Sequence, residues 1–212
     1  MTTDTTGTAE ATGGAAAVGR APARRRVARL VTDGLEPKNW IVPLTLAVGW
    51  RADGAAGAGW GLYATVFAAV LPVLFIRFGV RRGRWADRHV GVRRQRLAVL
   101  VFVVCSVAAG TLSMALLGAP PEMVALVAAM AATLVVLMAI TVAWKVSVHA
   151  AVSCGSVVIL AFAYGPWALA CAPLTAMVGW SRVALRDHTP AQVVAGAALG
   201  AAVAGAVFAL AR

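Results

Sequence analysis

Residues 97–144 form an almost unbroken apolar tract, long enough to cross a bilayer twice and cut only by Gly118 and the Pro120–Pro121 pair. Backbone immersed in hydrocarbon must satisfy its own N–H and C=O groups, and a helix does so within one segment. A crossing takes about 20 residues, which divides the tract into helices at 97–118 and 121–144, with Glu122 favourably placed in the first turn of the second. Comparable runs occupy 58–80, which ends at Arg77 and Arg81, and 193–211, which is built on Gly and Ala. The stretch 149–181 would be about 50 Å long as one helix, too long for a bilayer. The Tyr164–Gly165–Pro166 turn therefore folds it into a hairpin of two short crossings. Residues 40–50 (WIVPLTLAVGW) are too short to span, carry Pro43 near their start and end at Arg51 and Asp53. They read as an interfacial or re-entrant helix.

These runs specify an all-α fold: a polytopic membrane bundle of about six transmembrane helices plus a short interfacial helix, over residues 36–212. A composition 61% hydrophobic and 13% charged excludes an ordinary soluble domain. Residues 1–35 are rich in Thr, Ala and Gly, carry a basic cluster from Arg20 to Arg29, and read as a disordered basic tail. No early apolar run marks a secretory signal. Cys105, Cys154 and Cys171 fall inside apolar stretches without metal-type spacing and read as small buried hydrophobes. Six tryptophans (Trp40, Trp50, Trp60, Trp144, Trp167 and Trp180) stand near helix ends, as an interfacial belt would place them. Met114, Met123, Met130 and Met138 read as bilayer-facing or packing residues.

The net charge of +11 sits in short loops between apolar runs. That pattern orients a multi-pass protein in the cell membrane; it is not a groove-entering helix, and no nucleic-acid partner is expected. Parity gives the loops a common side. Two crossings separate the loop 81–96 from the junction 145–149, and two more separate that junction from the loop 181–192. All three face one surface, and they hold His89, His149 and His188 together with most of the arginines. Arginine forks match phosphate oxygens and lysine adds a point charge. Histidine can act as nucleophile or as proton donor to a leaving group. A phosphoryl group carried on a lipid would meet such a site at the bilayer surface; the plainer alternative is that the arginines only enforce orientation.

The run Ser181-Arg182-x5-His188-Thr189-Pro190-Ala191-Gln192, followed by VVAGAALGA, resembles the third signature of the type 2 phosphatidic acid phosphatase superfamily, S-R-x5-H-x3-D. Lys145-Val146-Ser147-Val148-His149 resembles its second signature, P-S-G-H, with Val in place of both Pro and Gly. The resemblance implies a metal- and cofactor-independent phosphatase acting on a phospholipid or a prenyl phosphate. It assigns the nucleophile to His188 and the leaving-group acid to His149. It places Arg182, Lys145, Ser147 and Ser181 around the phosphoryl oxygens. Gln192 stands where the family keeps the acid that orients the nucleophile. A Gln carbonyl can fix the imidazole tautomer, but it brings no negative charge to an imidazolium; Asp187 or Asp87 could supply one. The first signature, K-x6-R-P, has only a loose counterpart in His89-x6-Arg96-Leu97, which puts Arg88, His89 and Arg96 among the candidate anion contacts. Three readings stay open: hydrolysis through a phosphohistidine, binding of a phosphorylated lipid or prenyl diphosphate without simple hydrolysis, and a non-enzymatic membrane protein. The membrane side of the site and the oligomeric state are open as well.

Overall fold

In the computed structural model the described residues are 23–83 and 93–212, and they are helical nearly throughout. Helix α1 covers 23–34, α2 Pro37–Thr65 and α3 Leu71–Arg81. Then come α4 Arg93–Leu116, α5 Pro121–Ala143, α6 Val148–Tyr164, α7 Ala172–Ala184, α8 Pro190–Leu199 and α9 Gly205–Ala211. Among the described residues, four helices are long and apolar enough to cross a membrane: Ala23–Arg81 taken as one run, Leu97–Leu116, Pro121–Ala143 and Pro190–Ala211. Each apolar run identified in the sequence is helical, and the chain is a helical membrane bundle.

Residues 40–50 depart from the expected interfacial helix. Helix α2 breaks at Asp53 and Gly54, where Gly54 takes φ 49°, and its two halves fold back on each other. Gly49 and Gly57 meet so closely that a Cβ on either would overlap the other's carbonyl oxygen. Thr45 and Thr65 complete the seam with a buried hydroxyl–hydroxyl bond of 2.9 Å. The first arm thus lies against the second inside the bundle. Its far end is pinned by Tyr164 Oη, which donates to the Ala47 carbonyl at 2.7 Å, and by Arg51 Nε, which donates to that of Ala163.

The basic tail expected over 1–35 also changes character before it ends, because residues 23–34 are helical. Ala28 and Thr32 are buried, and Thr32 Oγ1 donates to Ser181 Oγ at 2.9 Å. Asn39 at the start of α2 donates its amide to the Gly34 carbonyl, satisfying one of the orphan acceptors at the end of α1.

The core lies where α2, α4, α5, α6 and α9 converge, around Leu44, Val107, Met123, Leu126, Ile159 and Phe208. Met114 and Met123 are fully buried and therefore pack rather than face lipid, whereas Trp50, Trp144, Trp167 and Trp180 are exposed near helix ends. Two π-helical turns interrupt the long helices, Val66–Val70 between α2 and α3 and Gly200–Ala204 between α8 and α9. Ser106 on α4 donates its hydroxyl to the Phe67 carbonyl within the first of them, at 2.7 Å.

Candidate functional site

The site is built on the junction between α7 and α8. Helix α7 ends in a Schellman motif: the Asp187 N–H reaches the Arg182 carbonyl, and the Arg186 N–H reaches that of Val183. The motif demands a left-handed residue at its turn, and Arg186 takes it with φ 61°, a position that usually belongs to glycine. The chain is thereby turned so that Asp187 and His188 come back over the end of their own helix. The Arg182 carbonyl also accepts the His188 N–H.

Helix α8 then starts with a capping box. Thr189 Oγ1 accepts the Gln192 N–H, and Gln192 Oε1 accepts the Thr189 N–H, with Pro190 at the first helical position. The same Gln192 oxygen lies 3.2 Å from His188 Nδ1. An amide oxygen only accepts, and the Thr189 N–H requires the oxygen at this place. His188 Nδ1 therefore carries a proton and donates it to this oxygen. Gln192 thus stands beside His188, where the sequence reading placed it, and brings an amide rather than a charge.

His149 arrives from the adjoining helix. Ser147 caps α6 by accepting the Ala150 N–H at 3.3 Å, and its backbone N–H donates to the Gln192 carbonyl. The close approach has a simple cause in the small residues of α8. A Cβ at Gly196 would strike the Ser147 carbonyl oxygen, and one at Gly200 would strike that of Ala151. Glycine at both positions brings the N-terminal ends of α6 and α8 together. Each end carries a partial positive charge, which suits an anion.

Lys145, His149, Arg182, Asp187 and His188 line one cavity of about 420 Å³. Arg182 is buried and pairs through Nη2 with Asp187 Oδ2 at 2.9 Å. Among the described residues, its Nε and Nη1 have no hydrogen-bond partner. A buried guanidinium with two unanswered N–H groups beside a cavity is poorly satisfied by protein alone. Nε and Nη1 lie on different edges of the guanidinium, so each offers its own hydrogen bond to an anion rather than one fork. Lys145 donates to the Asp187 carbonyl at 2.6 Å and stands at the rim.

Two residues named as phosphate contacts are buried and also bond within the frame. Ser181 is fully buried, donates to the Val178 carbonyl and receives the Thr32 hydroxyl, so it ties α1 to α7. Ser147 is likewise buried, with its hydroxyl engaged as a cap. Arg88 and His89 lie outside the described residues, as does Asp87. Arg96 falls in the first turn of α4, with its side chain outside what is described.

The cavity also recruits residues the sequence reading passed over: Glu36, Lys38 and Arg77. Lys38 pairs with Glu36. Had 40–50 been counted as an arm running through the bundle, parity would have set Glu36 and Lys38 on the site's side. Arg77, near the end of α3, would already have followed from the count. The capping box was equally legible, as T-P-A-Q. Among the described residues, no group of three or more His, Cys, Asp or Glu is arranged to hold a metal ion.

Residues 125–212 match the family model of the PAP2 superfamily. Over that stretch the chain is similar to the superfamily, and the match supports the resemblance carried by the motifs at 145–149 and 181–192. No curated protein and no solved structure matches the chain. The PAP2 match suggests phosphatase-type chemistry on a lipid phosphate and, with the apolar helices, an address in a membrane. The PAP2 match begins within α5 and contains Lys145, His149, Arg182 and His188, while α1–α4 lie outside it.

Proposed function

We propose that the protein is an integral membrane phosphatase that hydrolyses a lipid phosphate or an isoprenyl (di)phosphate through a phosphohistidine on His188. The observation that carries this reading is the buried Arg182 guanidinium, with Nε and Nη1 unpartnered among the described residues, lining the same cavity as His149 and His188.

In the reaction, His188 Nε2 attacks phosphorus while Gln192 holds the Nδ1 proton. The bond from phosphorus to the leaving oxygen breaks, and His149 gives that oxygen its proton. Arg182, Lys145 and the N-terminal ends of α6 and α8 balance the charge gathering on the phosphoryl oxygens. Water then attacks the phosphohistidine with His149 as base, which releases phosphate and restores both imidazoles. Cell-membrane residence follows from the same reading.

The test is phosphate release by the purified protein from a lipid phosphate and from a prenyl diphosphate, with His188→Ala alongside. Release should fall by about a thousandfold or more in the variant, as expected when a nucleophile is removed. Undiminished release would remove His188 from the mechanism. A second reading is favoured by Gln192: without a carboxylate beside His188, the site could hold a phosphorylated lipid without turning it over. Binding of a phosphate analogue in the absence of release from either substrate would select it.

A further inference from the structure

The cavity that carries the polar site is mostly apolar, and it runs along the helices. On α6 its wall descends from His149 through Val152 to Ile159, about 15 Å at the helical rise. On α4 it descends from Val99 through Val103 to Val107, about 12 Å. Two hydroxyls on the walls are turned back on their own helices, Thr133 to the Ala129 carbonyl and Ser156 to that of Val152, so the donor of each is already used. The deep end is closed by the bundle core: Leu44, Val107 and Ile159 line the cavity and belong to the same cluster as the fully buried Met114 and Met123. Both π-helical turns border this space, through Ala68 and Ala69 in one and Ala204 in the other. Small side chains on widened turns leave room there.

We infer that this cavity is a ruler: it takes one hydrocarbon chain, inserted end first, while the phosphoryl group stays with Arg182 and His188. The inference rests on the phosphatase reading for the place of the head group. At about 1.2 Å per bond of an extended chain, 15 Å admits about twelve chain carbons, which equals three isoprene units. The apolar walls therefore read the length of an inserted chain, and the preferred substrate is a phosphate or diphosphate of medium length, isoprenoid or alkyl, whose single chain fills that depth.

The experiment measures kcat/KM for phosphate release by the full chain in detergent, over prenyl and n-alkyl monophosphates from half to twice the cavity depth, with phosphatidic acid as the two-chain comparison. The rate should peak near three isoprene units and fall by about tenfold or more once a few methylenes are excluded from the apolar space. Val103→Phe, halfway down α4, should move the peak to shorter chains, and Ile159→Ala should move it to longer ones. Prenyl and alkyl arms of equal length show which chain chemistry the walls prefer. A rate independent of chain length, or phosphatidic acid used as well as the best single chain, overturns the inference and leaves the phosphatase reading standing. If nothing is hydrolysed, the phosphatase reading fails, and the ruler is read by thermal stabilisation of the protein with the same phosphates. A stabilisation maximum at the same chain length, displaced by the two variants, supports it, and a flat series sinks it.

Discussion

The two halves of the bundle use the same device for different ends. In the hairpin of α2, Gly49 and Gly57 bring two backbone segments into contact. Between α6 and α8, Gly196 and Gly200 do likewise. The first contact joins arms whose reacting groups are few, and what it builds is a wall of the cavity, with Ile41 and Leu44 facing in. The second joins the helix beginnings beside which His149 and His188 stand. The candidate reacting groups thus stand in the part that matches the PAP2 family, whereas the apolar walls come about equally from that part and from the helices outside it. Identical packing can serve catalysis or selection, depending on what stands at the end of the packed helices.

Paired substitutions can break that comparison. Gly57→Val and Gly200→Val each force a branched side chain into a carbonyl, and each should cost about 3 kcal/mol or more of stability in a thermal or denaturant melt. Their effects on turnover should differ. Activity per folded molecule should fall by about a hundredfold in Gly200→Val, because the two histidines are pushed apart. In Gly57→Val it should change far less for a short-chain phosphate. Equal losses in both would mean that the hairpin is as much a part of the reaction site as α8.

Gln192→Glu sharpens the comparison within the reactive half. Glu keeps the capping box and adds the negative charge that the family places near its nucleophile. Single-turnover phosphorylation of His188 should quicken by about tenfold, from stabilisation of the imidazolium worth about 1.4 kcal/mol. A slower reaction would argue that the neutral amide is matched to a different task. The smallest effect belongs to Arg186→Gly. Relieving the left-handed residue in the Schellman turn should raise stability by about 1 kcal/mol, seen as a higher melting temperature, with phosphate release unchanged.

Much of this was legible in the sequence, and the boundary has a physical basis. The long apolar runs had to be helical because lipid leaves the backbone no other partner. The α7–α8 site was legible because its parts lie close in sequence and are set by local geometry: a helix end, one left-handed residue and a capping box. The hairpin escaped notice because its second arm begins GAAGAGWG, where small residues resemble a linker to any hydropathy count. Those same residues are the ones that allow the arms to touch. Glu36 and Lys38 escaped with the hairpin, since parity sets them on the site's side only once 40–50 is counted as a crossing arm, and Arg77 stood on that side with no motif to single it out. Ser181 and Ser147 were assigned from motif position alone, and only the coordinates reveal hydroxyls already committed to Val178, Thr32 and Ala150.

The π-helical turns have a consequence for engineering. A π turn holds one residue more than the α turn it replaces, so the girth of the bundle at Val66–Val70 and Gly200–Ala204 depends on how many residues the chain spends there. Single-residue deletion in either turn, and not only a change of side chain, is therefore a direct way to retune what the interior can hold.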